Sequence, residues 1–551
     1  MQYDYDFVVI GSGFGGSVSA LRLAEKGYRV AVIEQGRRWT EGNLPKTNWN
    51  LAKWIWRPSL GCRGFFAMRF FKHLVVLHGN AVGGGSITYG NVLLVPPDSV
   101  WGQGSWTGLN DWAQVMPGHY TTAKRMLGVT TNRRLGPADL RLQEMAKEIG
   151  AENSFHPTEV GIFFGKDADE PGATYADPYF GSEGPSRQSC IACGGCMVGC
   201  RHDAKNTLDK NYLFLAERKG ATLVAESKVV DVRPLLNRAD GSAGYSINVV
   251  SLAKGPRGRR HSIACHGVVF AASSLGTQDL LFRLREKKSL PRISEALGTC
   301  VRTNAESLIG VRFPGSKVDL SQGIAIGSGI YADDRTHIEA VRYPGGSDAM
   351  GLIATVMARR RPGRTPLLNW PAALFRLLLT RPIATLRVLL PFGWARETMI
   401  FLCMQTVDGH LTMRLKRRWF WPFSRQLTTH GGKIPAYIPA AHDFALKAAE
   451  ATGGIPIASI PEMLLNVPMT AHCLGGAAMG RTRADGVCDS KNRVFGYQNM
   501  YICDGSMLGA NLGVNPALTI AALTEHAMSH IPGQAGQKWT ETAGEKVEGN
   551  P

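Results

Sequence analysis

Residues 6 to 10 form a short, β-branched apolar run, Ser17 to Lys26 carry apolar residues at helical spacing, and Arg29 to Ile33 form a second apolar run closed by Glu34. This order predicts strand, turn, helix, strand. The turn reads Gly11-Ser12-Gly13-Phe14-Gly15-Gly16. Gly11 allows the tight turn, Gly13 lets the backbone approach a pyrophosphate, and Gly16 lets the helix pack on the strand, while the helix N-terminus stabilises negative charge. Glu34 stands 23 residues after Gly11, where a carboxylate accepts the ribose hydroxyls of an adenosine. A purely structural turn would use the same glycines, but the surrounding elements favour a dinucleotide, FAD or NAD.

Two distant stretches add to this pattern. Residues 79 to 91 form a second glycine loop, Gly79-Asn80-Ala81-Val82-Gly83-Gly84-Gly85-Ser86-Ile87-Thr88-Tyr89-Gly90-Asn91, suited to lie against a flat ring system or a phosphate because a backbone without side chains can come close. Near the C-terminus a strand from Met500 to Cys503 ends at Asp504-Gly505-Ser506, and Asn515-Pro516 precedes the apolar helical pattern Ala517 to Ala527. Asn as cap and Pro at the first helical position predict a helix start whose positive end faces an anionic cofactor.

A length of 551 residues points to two intertwined domains. With 44% hydrophobic residues, 19% charged residues and 64 glycines without a three-residue period, disorder, coiled coil and collagen are excluded. Eleven cysteines are too sparse for a disulfide scaffold. Four of them, Cys190, Cys193, Cys196 and Cys200, have the C-x-x-C-x-x-C-x-x-x-C spacing of iron-sulfur runs, with Arg201 in place of the usual proline. The spacing predicts a 4Fe-4S cluster, with a zinc site or an unmetallated loop as alternatives. A cluster beside a dinucleotide would pass electrons one at a time to an acceptor protein or a quinone.

The net charge of +18 makes an anionic partner worth testing, but no zinc-finger, RNA-binding or basic-zipper pattern accompanies it, and no nucleic acid is expected. Aromatic residues mix with cations in Trp54 to Arg57, Phe65 to Lys72 and Lys416 to Phe423, and a leucine-rich stretch from Leu374 to Trp394 is interrupted by Arg376, Arg381, Pro382, Arg387 and Pro391. Such mixtures suit the interface of an anionic membrane, and core packing of lid helices is the alternative. With no secretory pattern before residue 6 and no uninterrupted apolar span, a cytoplasmic protein is expected, peripheral on the inner face of the membrane at most.

The N-terminal fingerprint, the Gly83 to Ser86 loop, the run Val268 to Thr277 and the terminal block Thr470 to Thr519 resemble, in order and spacing, the glucose-methanol-choline family of FAD-dependent oxidoreductases, and in particular its steroid-oxidising bacterial branch. The resemblance implies an α/β protein, α+β overall, in which a Rossmann-type FAD-binding domain (1–45, 75–110, 205–315, 465–530) is interleaved with a substrate domain on an antiparallel sheet (46–74, 111–204, 316–464), followed by a flexible tail (531–551). It implies His472 and Asn515 as the catalytic pair and Glu339 as the residue that moves a proton during isomerisation. It implies FAD contacts at Gly11, Gly13, Gly16, Glu34, Gly83, Gly84, Ser86, Asn91, Val229, Asp504, Gly505 and Pro516. No histidine stands in the Gly83 to Asn91 loop, where flavin-linked relatives carry one, so the FAD is expected to be non-covalent. The implied activity is oxidation of a sterol-like hydroxyl. A long-chain or terpenoid alcohol dehydrogenase and a flavin/iron-sulfur electron-transfer protein are the alternatives.

Overall fold

The structure, a computed structural model, describes residues 2–166, 170–253, 258–359, 366–418, 421–432 and 434–534. Two seven-stranded sheets organise it. The first grows from the N-terminal run, where Val8 and Val9 are fully buried. The strand Tyr5–Ile10 lies between Val30–Ile33 and Arg260–Phe270, parallel to both, with Thr222–Val224 and Met500–Ile502 continuing the parallel part. Tyr245–Ser251 and Ser227–Pro234 extend it antiparallel. Ligands of such sheets bind outside the carboxyl ends of the parallel strands. Ile10, Ile33 and Ala271 line a cavity there.

The second sheet is antiparallel throughout. Its order is Ala354–Val356, Ile455–Ser459, Ser307–Arg312, Thr398–Gln405, Thr336–Val341, Ile326–Asp333 and His156–Pro157. Ser307–Arg312 lies within the segment 205–315 that the sequence assigns to the nucleotide domain, yet it is a central strand of this sheet. The reason is its neighbours: Ile309 and Val311 are buried among Ile338, Met399 and Phe401.

The helix Phe14–Glu25 joins the fingerprint to the C-terminal helix Ala517–Ser529. Glycine makes the approach possible, since a Cβ on Gly15 would stand 1.7 Å from the Cys503 carbonyl oxygen. Farther along, buried Arg22 grips Glu525 with Nε at 2.7 Å from Oε2 and Nη2 at 2.8 Å from Oε1, and the Tyr212 hydroxyl donates to the same carboxylate. Burial works against the Arg22 charge, but Glu525 holds the guanidinium well above its ordinary range.

Of the aromatic and basic stretches, Trp54 stacks on Phe66 at 4.6 Å and is core, while Phe70 is exposed. Trp419 and Phe420, and the side chains of Trp421 to Phe423, lie outside the described residues, as does the tail beyond residue 534.

Glu525→Ala removes the two-bond partner of Arg22 and the acceptor of the Tyr212 hydroxyl, while Glu25 keeps its 2.8 Å bond to Arg22 Nη1, so it should cost about 1–3 kcal/mol of stability, read as a lower urea midpoint. An unchanged midpoint would show that the pair does not hold the two helices together.

Candidate active site

The two glycine loops meet at the nucleotide end of the cavity. Gly11 has φ +104°, and a Cβ there would stand 2.3 Å from the Ala271 carbonyl oxygen. On Gly13 a Cβ would meet nothing within 4 Å, so this backbone is open to the cavity, whereas on Gly84 it would stand 2.6 Å from the Gly13 Cα. The second loop is thus pressed onto the first. Ser12 ties both to the acidic residue: its Oγ donates to Glu34 Oε2 at 2.9 Å and accepts from the Gly83 N–H at 3.0 Å. The other Glu34 oxygen accepts from the Gly36 N–H at 2.7 Å. Burial pushes the Glu34 carboxyl up, and these N–H donors oppose the shift.

Of the twelve residues expected to contact FAD, Gly11, Gly13, Glu34, Gly84, Val229, Asp504, Gly505 and Pro516 line the cavity. The other four predicted contacts stand behind its wall. Gly16 is needed for packing, since its Cβ would stand 2.0 Å from the Gly11 carbonyl oxygen. Ser86 closes its own turn by donating to the Gly83 carbonyl at 2.6 Å. Gly83 begins that turn at φ 88°, and Asn91 is a fully buried residue at φ 76°. Asn515 was expected to cap the C-terminal helix. The structure instead starts that helix at Ala517 with no side-chain cap, because the Asn515 amide turns to Glu339.

The cavity holds about 1910 Å³, beyond the ~300–1,000 Å³ of an ordinary single-ligand site. It has room for a dinucleotide and a second bulky ligand. Past the nucleotide end its walls are apolar, with Leu308, Ile326, Val341, Tyr343, Ile400 and Leu402. His472 and Asn515 stand on this wall.

The position of His472 is set by Glu306, a residue that sequence reasoning missed. Its Nδ1 lies 3.0 Å from Glu306 Oε1, which leaves Nε2 as the ring nitrogen for the cavity. Glu306 also accepts from the Thr470 hydroxyl at 2.6 Å and the Ala471 N–H at 3.0 Å. Burial opposes the charge of Glu306, but His472 and these donors hold its carboxyl below the usual range. Burial likewise opposes a charged His472, and Glu306 more than offsets this and pushes its pKa up. No motif surrounds Glu306; the one available signal is that an active-site histidine needs an acceptor on its second nitrogen.

Glu339 does not line the cavity. It is fully buried behind Asn515, whose Nδ2 donates to Oε2 at 3.4 Å, while Oε1 has no hydrogen-bond partner. Burial pushes its pKa up to about 7, against the opposing hydrogen bond from Asn515. Asp504 is held from two sides: Oδ1 accepts from the Ser506 N–H at 2.8 Å and Oδ2 from the Thr277 hydroxyl at 2.5 Å.

The cysteine expectation needs correction. Cys190, Cys193, Cys196 and Cys200 share one loop, yet among the described residues no group of three or more His, Cys, Asp or Glu side chains is set to hold a metal. Burial pushes the thiols of Cys190, Cys193 and Cys196 up, so they favour the protonated form. Buried Lys205 donates to the carbonyl oxygens of Cys196 at 2.8 Å and of Ile87 and Tyr89 at 3.0 Å, which ties this loop to the second glycine loop. Gly194 and Gly199 turn the chain at positive φ. The arrangement therefore supports neither the 4Fe-4S cluster nor the zinc site.

Comparison with known proteins agrees with this geometry. A model of the FAD binding domain matches residues 6–43, and a model described as GMC oxidoreductase matches residues 439–524. A cholesterol oxidase of Acinetobacter baumannii is 54% identical over 550 residues, covering 99% of this chain and 98% of that protein. A cholesterol oxidase of Mycobacterium tuberculosis is 42% identical over 541 residues, 97% of this chain and 92% of that one. Among solved structures, pyridoxine 4-oxidase from Mesorbium loti shares the fold at a TM-score of 0.58 and 16% identity, covering 95% of this chain and 98% of its own.

The Glu339 carboxyl generates a prediction about stability. Its folded pKa of about 7 exceeds the ordinary 4.5, so between these values the folded state keeps a proton that the unfolded chain has lost. Stability contributed by this group is complete below 4.5 and is lost as pH rises through 7. Glu339→Gln removes that loss, and relative to wild type it should gain on the order of 3 kcal/mol between pH 5 and pH 8. Urea midpoints at the two pH values measure the change; parallel shifts in both proteins would mean that Glu339 titrates normally.

Proposed function

Because the chain belongs to the GMC oxidoreductase family and is an FAD-dependent alcohol oxidoreductase, we propose that it oxidises the hydroxyl of a sterol, a 3β-hydroxysteroid of the cholesterol type, to the ketone. The observation that carries this reading is the meeting of His472 and Asn515 on the wall of an apolar chamber too large for the cofactor alone. The similarity to cholesterol oxidases over nearly the full chain supports the same substrate class.

FAD would be held by the residues of the two glycine loops and Glu34, and would supply the two-electron acceptor for the hydrogen on the alcohol carbon. The rest is the work of side chains. The Glu306 carboxylate fixes His472 and favours its charged form, so Nε2 is suited to hold the alcohol oxygen by donating to it. The Asn515 amide separates the cavity from Glu339. Glu339, balanced near neutral pH, is the carboxylate that would take up the alcohol proton, and to reach it, or to carry a proton between ring carbons of an unsaturated ketone, its side chain must turn past Asn515 toward the cavity. The apolar walls orient the sterol skeleton and exclude water.

Anaerobic visible spectra of the FAD-loaded protein test the substrate. Sterols should bleach the flavin, and His472→Gln and Asn515→Ala should keep FAD while slowing bleaching about 100-fold or more. Bleaching by fatty alcohols but not by sterols would transfer the activity to long-chain alcohols. Admitting oxygen or a one-electron dye afterwards identifies the acceptor.

We also propose peripheral contact with an anionic bilayer through the helices Pro366–Thr380 and Pro382–Leu389. Their inner faces pack through Trp370, Leu374, Leu377 and Ala384, while Leu368, Phe375, Leu379 and Ile383 are 64–74% exposed. From 366 to 396 the chain carries Arg376, Arg381, Arg387 and Arg396 and no acidic residue, which complements anionic headgroups. No helix among the described residues is long and apolar enough to cross a membrane. The double variant Leu379→Glu, Ile383→Glu should lose co-sedimentation with anionic vesicles and slow on vesicle-borne sterol, yet match wild type on detergent-solubilised sterol. Equal co-sedimentation would exclude this face.

A further inference from the structure

Glu339 lies within the antiparallel sheet, and the residues beyond it form a line whose first step must close from 3.8 Å to hydrogen-bond distance. Oε1 of Glu339 and Nδ1 of His337 are both buried without a hydrogen-bond partner, and they stand 3.8 Å apart. The other nitrogen of His337, Nε2, is 3.3 Å from Nε2 of His156, with the two rings tilted by only 14°. His156 is half-buried, and its Nδ1 lies 2.8 Å from the Ser154 carbonyl oxygen. Tyr331, at 45% exposure, lies against both imidazoles, with centroids 4.7 Å from His337 and 5.6 Å from His156. The line thus runs from the cavity wall at Asn515 to the outer edge of the sheet.

The tautomers follow from the partners. A backbone carbonyl only accepts, so His156 carries its proton on Nδ1 and presents a bare Nε2. His337 must then donate from Nε2, which leaves its Nδ1 bare and facing the glutamate. Burial, and the neighbouring His156, push the His337 pKa down to about 3, which keeps this ring neutral at rest.

Gly329 shows that the contact is built. It pairs with Glu339 on one side and His156 on the other, inside the strand Ile326–Asp333. A Cβ there would stand 2.5 Å from His337 Nε2 and 3.1 Å from His156 Nε2. Its φ is not positive, so backbone conformation does not require glycine. A glycine inside a strand weakens it and often marks a close approach; here the approach is that of two imidazole nitrogens.

We propose that His337 and His156 form a proton relay connecting Glu339 to solvent during alcohol oxidation. Protonated Glu339 gives its proton to His337 Nδ1, the Nε2 proton of His337 passes to His156 Nε2, and His156 yields a proton to water at the sheet edge. One proton leaves per alcohol oxidised. With oxygen as the acceptor, the reduced cofactor's hydrogen and two electrons together with one proton make hydrogen peroxide, and that proton returns along the same line and restores both tautomers. Neither histidine touches the cavity, so both act through Glu339. The groups facing the line are Glu339, Tyr331, the two imidazoles and, from the neighbouring strand, the Cys403 thiol, with Asn515, His472 and Glu306 beyond its inner end.

The inference rests on alcohol oxidation beside Glu339 and not on the sterol; any alcohol that bleaches the flavin serves the test, so failure of sterols alone would overturn only the substrate reading. Anaerobic stopped-flow with a pH indicator follows bleaching and proton release together in the FAD-loaded enzyme. In wild type the two should coincide, with one proton released per flavin. In His337→Phe the first bleaching should stay within about twofold while proton release lags about tenfold or more. His156→Ala, at the half-buried end, should show the same lag, and added imidazole should restore the rate, which a merely structural histidine would not allow. Independently of activity, 15N NMR should find the His337 proton on Nε2 and the His156 proton on Nδ1. Proton release coincident with bleaching in both variants, or His337 protonated on Nδ1, would overturn the relay.

Discussion

The carboxylate of Glu306 is the constraint on which the site depends. It sits at the start of a central strand of the antiparallel sheet and accepts from Thr470, Ala471 and His472 of the C-terminal block. A buried carboxylate is costly unless charge and hydrogen bonds compensate it. Here the compensation comes from another segment of chain, so the antiparallel sheet and the Thr470–His472 segment are held in one relation and the histidine in one orientation by the same group. The Nε2 direction of His472 follows from that seam.

What was legible in the sequence was whatever depends on local backbone geometry. Gly11 and Gly13 could be read because no side chain fits where the strand turns into the helix, and the spacing to Glu34 is fixed by one strand, one helix and a second strand. Glu306 could not be read, because its role arises from a contact 166 residues away in the chain. His337 and His156 are similarly distant, and only the antiparallel pairing across Gly329 brings them together.

The cysteine run illustrates the opposite failure. Spacing alone specifies a tight curl, and a curl can serve a loop junction as well as a metal. In this chain Lys205 joins the Cys196 carbonyl of the curl to the Ile87 and Tyr89 carbonyls of the second glycine loop. The domain boundary near 315 shifted for a related reason: Ile309 and Val311 look like strand residues of either sheet, and only packing partners decide between them. Asn515, which has the residue type of a helix cap, was claimed by Glu339 instead.

That last substitution of roles has a thermodynamic consequence. The helix Ala517–Ser529 begins at the cavity wall, with Pro516, Ala517 and Ile520 lining it, and no side chain satisfies its first turn. Unpaired N–H groups and the positive end of the dipole remain directed at whatever anion the cavity contains. An anionic ligand bound there would complete the cap, and would bind most firmly when most negatively charged. A change in that ligand's charge would then alter how firmly the last helix is tied down, so folding stability and the charge on the ligand would be linked variables of one equilibrium.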